Sequence, residues 1–306
     1  MTRRFALLFA LLFVVSCASA STTVSIQPSA RASRGAFPTS VTDFQGRSVA
    51  ISKRPERIVS IGPSNTEFLF ALGAGDRVVG DDDFSDEPAA AKTKEHVGGV
   101  KVNLEKVVAL KPDLIITVKF SDGTIEALSQ TSAAVLVVDP QGAADVARSA
   151  TLIGQAVGAD GTKLAGDIQK QLDAVKAKTD GASKLKVFHE VDASDPAKIY
   201  TVGPGSFIDD LIKIAGGANV FATAKTAYPT VSGEQIISTD PDVIVLGDSL
   251  YGTSIDSIAT RPGWATLSAV KNKRVYAGLS VFSRPGPRLG EAALAYAKLV
   301  HPELFP

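Results

Sequence analysis

Two stretches far apart in the chain repeat one pattern: NLEKVVALKPDLIIT at 103–117 and SGEQIISTDPDVIVL at 232–246. Each opens on a helix-capping residue (Asn103, Ser232) and places a glutamate two residues on (Glu105, Glu234). A short helix follows, and Pro-Asp (Pro112-Asp113, Pro241-Asp242) turns it into a strand without polar alternation. Strands apolar on both faces belong to parallel sheets covered on each side by helices. Building that unit twice commits the chain to two similar α/β lobes, related by a pseudo-twofold axis and separated by a cleft.

The connection between the lobes is legible too. In DGTKLAGDIQKQLDAVKAKTD, residues 160–180, Leu164, Ile168, Leu172 and Val175 recur at spacings of four, four and three. One apolar stripe therefore runs along a helix whose other faces carry Lys, Gln and Asp. Asp160 is placed to cap its first turn, and Gly181 to end it in a left-handed conformation. At about 1.5 Å per residue the rod spans roughly 30 Å, the width of a small domain. The expected organisation is an N-terminal lobe over 39–158, a connecting helix over 159–182 and a C-terminal lobe over 183–306.

Within the first lobe, VTDFQGRSVAIS at 41–52 predicts an edge hairpin around Gln45-Gly46. RIVSIGPSNTEFLFALGAGDRVVG then reads as a strand, a helix capped by Ser64 or Asn65, and a second strand; another strand is expected at 134–138. In the second lobe KIYTVGPGSFIDDLIKIAGGANVF has the same order of basic residue, strand, Gly-Pro, capping Ser, amphipathic helix and glycines, which sets Lys198 beside Arg57. Leu289, Ala293, Ala297 and Val300 give a final helix its buried face.

Residues 1–20 belong to neither lobe. Arg3 and Arg4 precede an apolar run, Phe5 to Val15, that is short for a membrane span and is followed by small residues, as in a secretory signal peptide. Polar residues 21–38 follow as a flexible tether. The single cysteine, Cys17, excludes an intrachain disulfide. It is expected to be acylated as a lipoprotein anchor; the other reading is a spectator in a signal cut after Ala20. Without Arg3 and Arg4, 30 Lys and Arg stand against 32 Asp and Glu, so no electrostatic case arises for nucleic acid or an anionic membrane. His96, His189 and His301 lie at no metal-ligand spacing, and neither G-x-S-x-G nor G-K-[ST] occurs. A hydrolase or nucleotide enzyme is therefore not the expected reading, and no cofactor is expected. Asp81, Asp82, Asp83, Asp86 and Glu87 are expected to form a solvated acidic loop.

RPERIVSIGPSNTEFLFALGAGDRVVG, NLEKVVALKPDLIIT, YPTVSGEQIISTDPDVIVLGD and RPGWATLSAVKNKRVYAG together resemble the helical-backbone class of ABC-importer solute-binding proteins, which capture cobalamin, ferric siderophores or haem. The likeness covers about residues 40–300. It implies two Rossmann-like lobes with central parallel sheets, one long backbone helix and a chelate held between the lobes. It also implies a surface glutamate on each lobe, here Glu105 and Glu234, that docks onto arginines of a permease dimer served by ATPase subunits. The family's cleft positions fall on Phe84, Val100, Lys119, Tyr228, Phe282 and Arg284.

FSDEP, YPTVSGEQ and SRPGPR are most similar to cobalamin binders. Val100 and Val118 depart from that pattern, standing where such proteins often place tryptophans, and haem binders commonly place a tyrosine near Val100. The alternative is thus a ferric siderophore, met by Lys101, Lys119 and Arg284, with haem behind it. A lipid-anchored sensor or adaptor is the reading of a different class. The protein is expected to be monomeric, with little lobe motion, because a helix crossing between lobes resists bending.

Overall fold

The computed structural model describes residues 35–306; the signal segment, Cys17 and most of the tether lie outside the described residues. In chain order the first lobe comprises β1 (Thr39–Thr42), β2 (Ser48–Ile51), β3 (Ile58–Ile61), α1 (Pro63–Ala71), β4 (Val78–Asp81), β5 (Glu95–His96), α2 (Leu104–Ala109), β6 (Leu114–Thr117), α3 (Thr124–Leu128), β7 (Ala134–Val137) and α4 (Ala143–Val157). Strands β5-β4-β3-β6-β7 pair in that order, all parallel, while β1 and β2 form a separate antiparallel hairpin. The period of two along each strand sorts the core. Ile58, Leu114 and Ile116 face Phe68 and Leu69 of α1, whereas Val59, Ile61 and Ile115 face Val107 of α2 and Leu128 of α3.

The connecting helix α5 (Gly161–Thr179) buries Ile168, Leu172 and Val175, with Leu164 half-buried. The Asp160 carboxylate accepts from Thr162 N at 3.0 Å, and Gly181 takes φ 85°. A side chain at Gly161 would strike the carbonyl of Ala150 on α4, so the absence of a Cβ is what lets α5 seat against its neighbour.

The second lobe comprises β8 (Lys186–Asp192), β9 (Ile199–Thr201), α6 (Phe207–Ile214), β10 (Ala218–Asn219), β11 (Thr230–Val231), α7 (Gly233–Thr239), β12 (Val243–Leu246), α8 (Ile255–Ile258), α9 (Ser268–Lys271), β13 (Val275–Ala277) and α10 (Leu289–Val300). Its sheet runs β11-β9-β8-β12-β13, with β10 also on β8. This sheet is mixed: β10, β12 and β13 are parallel to β8, but β9 is antiparallel to it and β11 antiparallel to β9. The loop 193–198 between β8 and β9 is too short for the crossover that parallel pairing needs. Helices α4, α5, α6 and α10 fill one continuous apolar core that joins Phe68 and Ile153 of the first lobe to Leu211 and Tyr296 of the second.

The internal repeat has a physical cause. Asp113 accepts from the backbone of Glu56 and Arg57, and Asp242 accepts from Lys186 N at 2.8 Å. Each aspartate thereby pins the start of its lobe's central strand. The basic residue at that start also holds a carbonyl at the end of the short helix that leads into the aspartate: Arg57 donates to Leu110 O and Lys186 to Thr239 O, both at 2.7 Å. Lys111 and Asp240, each two residues before the aspartate, share a left-handed φ of 47° and 43°. The structural counterpart of Arg57 and β3 is therefore Lys186 and β8. The sequence pairing of Arg57 with Lys198 is corrected, since Lys198 leads into the antiparallel β9.

Candidate functional site

Parallel strands leave an open crevice beyond their carboxyl ends, bordered by the loops that follow them. Here the loops after β3, β6 and β7 in the first lobe face Phe207, Tyr228, Ser283 and Pro285 of the second across a cavity of about 330 Å³. Asp82 organises the first-lobe rim. Its Oδ2 accepts from Gly62 N at 2.6 Å and from Ser85 Oγ at 3.0 Å, and its Oδ1 from Phe84 N at 2.9 Å. Neither Ser64 nor Asn65 caps α1; Gly62 occupies that position, Pro63 begins the helix, and Asn65 donates to the carbonyls of Ile61 and Val138.

The acidic run is likewise not a solvated loop throughout. Asp81 and Asp82 are buried, Asp82 because the amides of Gly62 and Phe84 and the Ser85 hydroxyl require an acceptor. Asp81 Oδ1 contacts His96 Nδ1 at 2.9 Å, and burial pushes the Asp81 carboxyl up to about 7 even though His96 pulls it down. His189 is buried against the Tyr296 hydroxyl, and burial lowers it to about 3, so it stays neutral. Among the described residues, no three His, Cys, Asp or Glu side chains are grouped to hold a metal.

Phe84 follows β4 and is 49 % exposed, its ring 3.1 Å from where a Cβ on Gly99 would sit. Val100, in the neighbouring loop after β5, is 85 % exposed, and Lys119 is exposed after β6. Tyr228 lines the cleft from the opposite lobe; partial burial and then the nearby Asp139 charge raise its hydroxyl above the usual range. Sequence reasoning missed Asn65 and Asp139, which line the same cavity, and Leu250, Tyr251 and Leu279, which stand exposed after β12 and β13. The available signal was their place directly after a buried strand or its turn.

Two residues differ from expectation. Phe282 is 1 % exposed and packs on Tyr296 with ring centroids 5.0 Å apart; the turn at 280–283 folds it under α10, so it presents no surface to the cleft. Arg284 is not free to meet a ligand. It pairs with buried Glu67 of α1 at 3.2 Å and with Asp86, and reaches Phe84 O at 3.4 Å. Burial works against its charge, but the carboxylates of Asp86 and Glu67 outweigh this and hold the guanidinium above its usual pKa. Arg288 also grips Glu67, at 2.9 and 3.2 Å. A carboxylate buried on α1 needs counter-ions, and both come from the other lobe.

Glu105 and Glu234 occupy the same place, the second residue of α2 and of α7, after the side-chain caps Asn103 and Ser232. Both are exposed, and neither pairs with a basic side chain among the described residues. Capping does not use them. In α7 the reciprocal bond to the cap comes from Gln235, and in α2 the neighbouring Lys106 turns to Glu95 and His96 O.

A sequence profile of periplasmic binding proteins matches residues 58–280. An ABC transporter substrate-binding lipoprotein of Bacillus subtilis, itself uncharacterised, is 35 % identical over 280 residues, covering 88 % of this chain and 87 % of that protein. The vitamin B12-binding protein of Vibrio parahaemolyticus is 30 % identical over 249 residues, covering 79 % of this chain and 88 % of that one. Among solved structures, a possible iron-binding periplasmic solute-binding protein of Staphylococcus epidermidis superposes with a TM-score of 0.70 at 29 % identity, covering 81 % of this chain and all of that one.

Proposed function

Because the chain belongs to the periplasmic binding protein family, whose members are transport components and not enzymes, we propose that it is the extracytoplasmic substrate-binding protein of an ABC importer, capturing a chelate of the cobalamin, siderophore and haem class, with cobalamin foremost. The observation that carries the cobalamin reading is the charge of the cleft. Arg284, the cation expected to meet an anionic ligand, is already paired with Glu67 and Asp86 and is not free to answer a polyanion. Phe84, Val100 and Tyr228 offer apolar surface to a large, nearly neutral ring system.

A ferric siderophore is the second reading, favoured by the likeness to the Staphylococcus epidermidis protein and by exposed Lys101 and Lys119. Haem stands behind it, since Val100 cannot coordinate iron. Titration calorimetry against cyanocobalamin, ferric siderophores and haem tests this, and cyanocobalamin is expected to bind most tightly. Binding of a siderophore or haem alone overturns the cobalamin assignment, and binding of none favours a sensor or adaptor. Delivery to a permease dimer would use Glu105 and Glu234, whose free carboxylates suit bidentate contact with arginines. Cys17 is proposed as the lipid anchor; labelled palmitate should enter the parent and not Cys17→Ala, and equal labelling would end that idea.

A further inference from the structure

We infer that the cleft reads its ligand through an acceptor on its wall, the Asp139 carboxylate, and thereby selects chelates rimmed with neutral amides over those bearing carboxylates; this rests on the chelate-binding reading above. Asp139 stands just beyond β7, at the lining of the cavity, with Tyr228 on the other wall. Gln141 Nε2 donates to its Oδ2 at 3.1 Å and to its carbonyl at 3.2 Å, which orients the group. Its Oδ1 has no hydrogen-bond partner among the described residues, and no lysine or arginine there pairs with it.

The nearby side-chain amides do not supply donors to the cleft. Asn65 commits its NH₂ to the carbonyls of Ile61 and Val138, and Gln141 commits its own to Asp139. Burial and the Asp145 charge raise the Asp139 carboxyl while Lys119 lowers it, so the group is already partly desolvated. Covering it with a ligand that offers no donor removes its remaining water without replacement. A ligand carboxylate placed there would set two like charges side by side. A primary amide supplies the N–H that Oδ1 lacks, and a corrin ring carries such amides around its edge.

The test compares cyanocobalamin with its isomeric monocarboxylic acids, in each of which one ring amide is hydrolysed, on the wild-type protein and on Asp139→Asn. The variant side chain keeps the size and can donate as well as accept. At least one isomer is expected to bind the wild type about tenfold more weakly than cyanocobalamin, with the gap closing in Asp139→Asn. If every isomer binds the wild type as tightly as cyanocobalamin, the acceptor role of Asp139 is wrong while the cobalamin reading stands. If one isomer is rejected equally by wild type and Asp139→Asn, the selection lies elsewhere in the cleft and the assignment to Asp139 fails. If no corrinoid binds the wild type, the cobalamin reading and this inference fall together.

Discussion

Glu67→Gln removes the one carboxylate that both Arg284 and Arg288 reach across the cleft, while keeping the volume of the side chain. Glu67 is 4 % exposed and accepts three hydrogen bonds, at 3.2 Å from Arg284 Nη1 and at 2.9 and 3.2 Å from Arg288. Bonds to a charged group contribute about 1.5–3 kcal/mol each, and breaking a buried pair costs about 3–5 kcal/mol. Two features reduce that figure. Arg284 keeps Asp86, and Arg288 is nearly one-third exposed and rehydrates. A net loss of about 2–3 kcal/mol follows, which for a protein near this size lowers Tm by roughly 5–10 °C.

Scanning calorimetry of Glu67→Gln, Arg288→Met and the double variant measures both the loss and the coupling. The second substitution should add at least about 1 kcal/mol less than it does alone. A shift under about 1 °C, or simple additivity, would refute the claim that this cluster ties the lobes. The radius of gyration should stay at the parent value in either case, because the core shared by α4, α5, α6 and α10 holds the lobes without the cluster.

Changing Glu105 and Glu234 together to alanine should leave chelate affinity unchanged and cost no more than about 0.3–1 kcal/mol per helix from the lost dipole interaction. Stimulation of the importer's ATPase in lipid nanodiscs should collapse; uptake at the parent rate would leave both glutamates as helix-start residues only. Asp81 gives a pH dependence. Its folded carboxyl is raised to about 7 by burial, so the stability it contributes is present at acid pH and is lost as pH rises through about 7. Asp81→Asn, which does not titrate, should therefore gain in Tm on the parent between pH 5 and pH 8, and a constant difference would show that burial does not govern this group.

Much of the architecture was legible because it rests on local chemistry. The α5 stripe of Ile168, Leu172 and Val175, the caps at Asp160, Asn103 and Ser232, and the unbroken apolar strands β6 and β12 are short-range patterns whose physical meaning does not depend on distant residues. The repeated Pro-Asp was visible for the same reason, although its task of pinning Arg57 and Lys186 was not. The cleft was legible at Tyr228, which lines the cavity between the lobes; Phe84, Val100 and Lys119 are exposed on loops that follow first-lobe strands, and the exposed Glu105 and Glu234 share one place on equivalent helices.

What the tertiary structure decided is the partner of each charged side chain and the direction of each turn. Arg284 reads in the sequence as a free cation beside Pro and Gly; only folding brings Glu67, more than two hundred residues away, within 3.2 Å of it. Phe282 is one residue of a short turn, and whether it faces a cleft or a core depends on how that turn packs against α10. The acidic run divides in the same way, with Asp82 turned inward to the amides of Gly62 and Phe84. The mixed second sheet also lay beyond local patterning, since an apolar strand looks alike in either direction and the length of the 193–198 loop sets its sense. Periodicity and caps act within a few residues, so the amino-acid sequence determined the elements and the two-lobed plan. Ion pairing, turn direction and strand sense depend on which elements meet, and that was settled by the packed structure.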